Sequence, residues 1–267
     1  MTGRTLRTLL AVGLVVSAGC STDIAVSAWM PNFENQTASG SGSAMVDIKK
    51  DFGVDTDSTV LALDLSGRQG SQGYRINYWK ITGEGSKIIA TDLDFADYTY
   101  TAGDQTSTTF DLTNIGVMYE PTLYQNPRFG LLFLLGANLI TFNMVATDIT
   151  TPAPPGDGEV HVPPAGNTFE SIGFIPVPVI GLGIQGKFTK WMGLTINATY
   201  FDTSNLGLGD DIQASYIGAD IALTFGKPEN YVMGMVGYKY AHAKYTVDTD
   251  KGDSTLDGFI GSVIFTF

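Results

Sequence analysis

Two short loop clusters carry residue types that can act as general acid or base: Asp92-Leu93-Asp94 and Glu159-Val160-His161. In an extended segment residues two apart point the same way, so each cluster could present two functional groups to one water. A general base must be held within hydrogen-bonding reach of its water. Pro154, Pro155, Pro163 and Pro164 surround His161 in what reads as a long loop, and such a loop does not hold a base. Both clusters are therefore expected to be solvated loop residues; no residue is assigned a catalytic role, and the chain is not expected to be an enzyme.

Metal chemistry has little to work with. His161 and His242 are the only histidines and Cys20 the only cysteine, too few for zinc sites built from Cys and His. Asp248, Asp250 and Asp253 could offer oxygens to Ca²⁺, but the glycine and late glutamate of an EF-hand loop are missing. The Gly-Ser run at Ser39–Ser43 is flexible loop rather than a phosphate cradle. No metal and no cofactor is expected. The net charge is −12 with only 16% of residues charged, which excludes nucleic acid as a partner because nothing could neutralise a run of phosphates.

The more informative charges are Asp64, Arg75, Glu120, Lys187, Asp220 and Lys239, each inside a segment that alternates in polarity. All six share the parity opposite to the apolar residues, three of each sign. Buried charges persist when paired or hydrated, so these residues are candidates to line a lumen as a salt-bridged network.

The elements that would position them are ten alternating runs: Asp23–Pro31, Ser58–Gly67, Tyr74–Ser86, Thr106–Pro121, Arg128–Ile149, Thr168–Phe188, Trp191–Phe201, Asp211–Phe225, Tyr231–Val247 and Ser254–Phe267. Short Gly-, Pro- and Asn-rich connections alternate with long ones. That rhythm predicts an all-β transmembrane antiparallel up-and-down β-barrel, most simply of ten strands, with eight or twelve as alternatives. Face patterns agree: Ile180, Leu182 and Ile184 oppose Gly181, Gly183 and Gln185, while Ile217, Ala219 and Ile221 oppose Gly218, Asp220 and Ala222. Tyr74, Tyr119, Tyr124, Phe188, Trp191, Phe225, Tyr231 and Phe267 are placed to form an aromatic girdle on the turn side; Trp29, Tyr98, Tyr200 and Tyr240 form one towards the loops. Two runs fit poorly. Phe110 and Leu112 are out of phase with Ile115, Val117 and Tyr119, which predicts a bulge near Thr113–Asn114 or an apolar plug in the lumen. The segment from Phe129 to Leu135 is apolar on both parities. Pro176 and Pro178 should mark a bulge or the loop-side rim of their strand.

At the amino terminus Arg4 and Arg7, the apolar stretch Leu9–Val16 and the small residues Ser17, Ala18 and Gly19 are the three regions of a secretory signal. The expected organisation is a signal peptide over 1–19 and a barrel over 20–267. Ser17-Ala18-Gly19-Cys20 resembles a bacterial lipobox, making Cys20 a candidate for lipidation; Ser17 departs from the larger apolar residue usual there, and ordinary cleavage nearby is the alternative. The last run, ending at Phe267, resembles the strand signal by which outer-membrane barrels are recognised for insertion. The expected location is the cell outer membrane of a Gram-negative bacterium. Its expected partners are outer-membrane lipid and the barrel-insertion machinery, with small solutes or extracellular molecules meeting the loops.

The order of elements resembles a loosely defined group of bacterial outer-membrane β-barrel proteins. The residues that carry the resemblance are Ala28-Trp29-Met30-Pro31, Val46-Asp47-Ile48-Lys49-Lys50-Asp51-Phe52-Gly53-Val54, Ile175-Pro176-Val177-Pro178-Val179-Ile180-Gly181-Leu182-Gly183, Gly237-Tyr238-Lys239-Tyr240 and Phe265-Thr266-Phe267. The resemblance implies fold and location. The acidic clusters are similar in type to those of omptin proteases, but Glu159 stands where that family has Asp. The His–Ser pattern of lipid A deacylases is absent, since Ala243 and Lys244 follow His242. The expected role is structural or surface-interacting, with a lumen largely filled by paired charges; the alternative is a narrow channel for small polar or cationic solutes.

Overall fold

The computed structural model describes residues 21–38, 45–56, 59–95, 98–149, 167–169, 175–203, 212–226, 231–247 and 250–267. The expected signal peptide at 1–19, Cys20, Glu159-Val160-His161 and Asp248 lie outside them. Ten long strands follow one another: β1 (Ser21–Ala38), β2 (Val60–Gln69), β3 (Gln72–Ile88), β4 (Gln105–Tyr119), β5 (Phe129–Asp148), β6 (Ile175–Lys187), β7 (Met192–Asp202), β8 (Ile212–Phe225), β9 (Val232–Val247) and β10 (Asp250–Thr266). Each pairs antiparallel with its neighbours, and β10 closes on β1 in one register from Asp23↔Thr266 to Ala38↔Lys251. The ten-strand reading is therefore the correct one. Four short strands attach to this sheet, among them Asn167–Phe169 on the upper edge of β5.

β1 continues through Pro31, where the sequence pattern predicts its end. The reason is directional. Thr22 N–H donates to Phe267 O at 3.2 Å, so even-numbered residues of β1 aim their N–H groups at β10 and odd-numbered ones at β2. The β1–β2 ladder stops at Trp29↔Val60, and Pro31 lacks a donor only where no partner strand remains to receive it.

The outer face is apolar over the turn-side and middle parts of the barrel: Ile24, Val26, Leu63, Val117, Leu135, Leu182, Ile221, Val236 and Val263 are exposed, and Leu61 is 71% exposed. A belt of this kind on successive strands is what lipid stabilises and water does not. Towards the loops the same outward parity turns polar, with Glu34, Lys80, Glu84, Asp111, Asn143, Lys244 and Asp253. Tyr124, Phe188, Trp191, Tyr231 and Phe267 are exposed at the turn end, and Tyr200 and Tyr240 are exposed higher up. Trp29 does not belong to the girdle. It points inward, is 2% exposed, and meets Trp79 edge-on at 5.5 Å.

The inner face explains the two runs that fit poorly. β4 pairs with β3 and β5 in unbroken register, so Phe110 and Leu112 mark an apolar filling rather than a bulge. Phe110 stacks on Phe33 at 5.0 Å and meets Phe142 at 5.4 Å inside the barrel. Lower down, Leu132 and Leu134 of β5 also point inward and are buried. Pro176 and Pro178 lie on the loop-side end of β6, in continuous register with β5.

The first two loops complete the filling. β2 is short, which leaves a notch between the upper parts of β1 and β3. Residues 45–56 occupy it: Val46–Asp47 pairs with β1, Asp55–Thr56 pairs with β3, and helix α1 (Ile48–Phe52) joins them. Asp47 caps the helix, its Oδ1 accepting N–H bonds from Lys49 at 3.0 Å and Lys50 at 2.9 Å, while Asp51 accepts the Asp47 N–H at 2.9 Å. Gly53 ends the helix with φ 67°, a left-handed conformation that suits glycine. Gly85 on β3 is required for the fit, because a Cβ there would lie 2.2 Å from Gly53 O. Ile48, Phe52 and Val54 thereby reach the interior and pack with Ile89, Phe95 and Tyr100 of the second loop.

Candidate functional site

Below this apolar mouth lies a polar layer in mid-barrel. Asp64, Arg75, Glu120, Asp220 and Lys239, five of the six charges singled out from the sequence, line one cavity of about 180 Å³. Lys187 does not join them; it shares their parity but lies at the exposed turn-side end of β6. Strand order dictates the grouping. β2, β3 and the end of β4 bring Asp64, Arg75 and Glu120 together, while β8 and β9 set Asp220 directly opposite Lys239.

Glu120 is the anchor. It is 4% exposed, and its backbone is fixed by two hydrogen bonds with Gly73, Glu120 N–H to Gly73 O at 2.7 Å and Gly73 N–H to Glu120 O at 3.1 Å. Arg75 Nη2 lies 3.0 Å from Glu120 Oε1, and Arg68 Nη2 lies 3.9 Å from Oε2. Asp64 and Asp220 add their fields at Arg75. Arg68, which the sequence pattern assigns to a turn, is in β2, and its Nη1 donates to the Thr122 hydroxyl at 2.6 Å. Arg68 thus joins Arg75, Glu120, Asp64, Asp220 and Lys239 on the inner face, where Lys187 stands apart.

An amide shelf surrounds the charges. Asn114 donates to Asn77 Oδ1 at 2.9 Å, Asn197 donates to Asp220 Oδ2 at 2.9 Å, and Asn138 shares a hydrogen bond with the Tyr216 hydroxyl. These residues sit against glycine: a Cβ on Gly116 would be 2.4 Å from Asn77 Nδ2, and one on Gly183 would be 2.6 Å from Asn197 Oδ1. Sequence reasoning passed over the asparagines because they carry no charge, although their inward parity was readable. The loop-side end of the cavity is apolar, formed by Trp29, Trp79, Leu112 and Phe142.

The loop and outer-wall candidates fall elsewhere. Asp92 accepts the Ala102 N–H at 2.9 Å and Asp94 accepts the Thr99 hydroxyl at 2.6 Å, so both carboxylates pin the second loop. His242 and Asp253 lie on the outer wall, where Lys244 Nζ is 2.9 Å from Asp253 and His242 Nδ1 is 3.0 Å from the Thr255 hydroxyl.

A closed antiparallel sheet with an apolar exterior defines a transmembrane β-barrel of the bacterial outer membrane. Among solved structures the chain is similar to the outer membrane protease OmpT from Escherichia coli, at 9% identity and TM-score 0.49 over 92% of this chain and 97% of that one. It is also similar to the CymD monoaromatic hydrocarbon channel, at 8% identity and TM-score 0.40 over 93% and 88%. A third is Ail, the attachment invasion locus protein of Yersinia pestis, at 10% identity and TM-score 0.31 over 92% and 99%. No family model matches the chain, and no curated protein does. Similarity at this level says nothing about activity; the class rests on the barrel's own closure and apolar exterior.

Proposed function

We propose that the protein is a sealed outer-membrane scaffold with a structural or surface-interaction role. The observation that carries this reading is the apolar mouth, in which Ile48, Phe52, Phe95, Tyr100, Phe110 and Met144 are all buried inside the loop-side end of the barrel. An apolar constriction excludes water and hence ions, and a ten-stranded barrel has little width to spare. The ion pairing at Glu120 beneath it supports a lumen that is filled rather than open.

Reconstitution in planar bilayers tests this. The expected result is no stepwise current above that of the lipid. The alternative, a narrow channel for small polar or cationic solutes, draws on the cavity beside Asp220 and Lys239. A single-channel current abolished by Asp220→Asn with Lys239→Met would establish it and overturn the scaffold. We assign no catalytic role; a hydrolytic activity lost in an Asp92→Ala, His161→Ala double variant would reverse that.

A further inference from the structure

Lys187 is the one predicted lumen charge without a place in the cavity, and it does not stand alone at the turn end. Arg128 ends the turn before β5, Lys187 ends β6, and Lys190 sits in the turn that follows; all three are exposed. Lys187 N–H donates to Arg128 O at 2.8 Å, so these two lie side by side. None of the three forms an ion pair among the described residues. Higher on the outer wall Lys80 lies 3.1 Å from Asp111 and Lys244 lies 2.9 Å from Asp253, and inside the barrel Arg75 and Arg68 share Glu120.

On a chain of net charge −12, three unmatched cations together are a local reversal of sign. Of the carboxylates described towards this end, Asp23 accepts the Thr266 hydroxyl at 2.7 Å and Glu120 is buried against Arg75. Neither is placed to neutralise the cluster. A concentrated field of one sign attracts a counter-charge from outside the chain.

Aromatic rings flank the cations. Tyr124, Phe129, Phe188 and Trp191 are all exposed, and Tyr124 and Phe129 are 6.3 Å apart. They belong to the turn-side girdle, which sits at headgroup level. The backbone beneath them is fixed by two turns. In the first, Asn126 Oδ1 accepts the N–H groups of Arg128 at 2.9 Å and Phe129 at 2.8 Å. In the second, Met192 O accepts those of Phe188 at 3.0 Å and Thr189 at 3.3 Å, while Thr189 Oγ1 accepts the Trp191 N–H at 3.2 Å. Cations and rings therefore share one preorganised ledge, which lowers the ordering cost of binding.

We propose that this ledge binds an anionic phospholipid of the turn-side leaflet, its phosphodiester held by Arg128, Lys187 and Lys190 and its acyl chains lying against the exposed rings. Charge and position define the partner. The Arg128 guanidinium is a planar fork that suits two phosphate oxygens, and the lysines act as point charges. Their long stems let the ammonium groups reach the headgroup plane from the rim of the barrel. A zwitterionic lipid brings its own cation and gains less from the cluster. A soluble anion meets the cations but has nothing to set against the rings. The proposal goes beyond the scaffold reading and stands or falls separately from it, because bilayer current reads the lumen and lipid selectivity reads the outer rim.

Trp191 reports on the ledge itself. It is 52% exposed on the outside, whereas Trp29 and Trp79 line the interior cavity. Bromine on lipid chains should therefore quench Trp191 emission, and Trp191→Phe should remove most of that quenching. The protein is folded into phosphatidylcholine vesicles with rising fractions of phosphatidylglycerol brominated in its acyl chains, and in parallel of equally brominated phosphatidylcholine. The anionic lipid should compete for the site with a relative binding constant at least roughly fivefold higher, the gain one basic residue near a membrane surface brings. High salt should reduce that ratio. Arg128→Gln, Lys187→Gln and Lys190→Gln together should bring it to about one. Lys190→Glu, in a turn outside the strand ladders, should by itself at least halve the ratio, and it decides alone if the triple variant does not fold. Equal quenching by the two lipids in the unaltered protein overturns the proposal. So does a preference that survives these substitutions. Loss of the preference on adding excess glycerol phosphate would assign the ledge to a soluble anion and overturn the lipid.

Discussion

Replacing Phe52 with alanine should release the first loop from the barrel mouth without disturbing the barrel. Phe52 is fully buried and meets Phe95 at 5.4 Å and Tyr100 at 5.6 Å, both edge-on. Truncating a buried phenylalanine destabilises by about 3–5 kcal/mol, including the cavity it leaves. That loss falls on the docking of residues 45–56, because Phe52 belongs to no barrel ladder; the relevant equilibrium is local opening rather than global unfolding. Lys49 and Lys50 lie in α1 beside it and are trypsin sites. Where reclosing outpaces cleavage, the cleavage rate follows the open population, so about 3–5 kcal/mol corresponds to roughly 160- to 5,000-fold faster cutting at ~1.36 kcal/mol per decade. The assay is trypsin on protein in vesicles, with fragments ending at Lys49 or Lys50 quantified by mass. Heat-modifiable gel migration should stay unchanged, and Leu61→Ala on the lipid-facing wall should leave the rate alone. An increase below tenfold, or wild-type protein already cut at the rate of a denatured chain, would refute the claim that this loop is built into the mouth.

Asp47→Ala removes the cap of α1, worth about 1 kcal/mol, and the same trypsin assay should show roughly fivefold faster cutting. Glu120→Ala leaves Arg75 and Arg68 without their shared carboxylate, and urea unfolding should show a loss of about 3–5 kcal/mol. In that series Arg75→Met with Glu120→Met should lose less than the sum of its single changes; additive losses would mean the pair is not coupled. Asp111→Asn breaks an outer-wall pair with Lys80 whose side chains are 44% and 40% exposed, so unfolding should shift by under ~1 kcal/mol. A clear stabilisation instead would place Asp111 among acyl chains, where charge is costly.

The ten strands were readable because lipid and lumen impose opposite polarity on alternate residues, and because turn residues punctuate the runs. Where that contrast failed, so did the inference. Phe110, Leu112, Leu132 and Leu134 are apolar on the inner face, and a packed interior rewards apolar residues as lipid does, so alternation alone could not separate a bulge from a filling. Trp29 was placed in the girdle for the same reason. The motif Val46–Val54 carried a resemblance but no hint that it patches the wall above β2, since that depends on β2 being shorter than its neighbours. Five of the six inward charges share one cavity because parity is a local property. Lys187 was set apart because height along the barrel is not. Arg68 was missed at a strand boundary, where sequence patterns are least sharp.

The polar upper wall has a consequence for reach. β5 runs on to Asp148 from Ile140, the residue opposite Ile175 at the end of β6. At ~3.3 Å per residue and a tilt of ~45°, that stretch rises about 20 Å. A headgroup layer is only about 5–8 Å deep on each side of the hydrocarbon. The loops carried by β3, β4 and β5 therefore begin well clear of the lipid surface, on hydrogen-bonded strands that fix their height. A partner as bulky as a folded protein can engage them without first parting the headgroups.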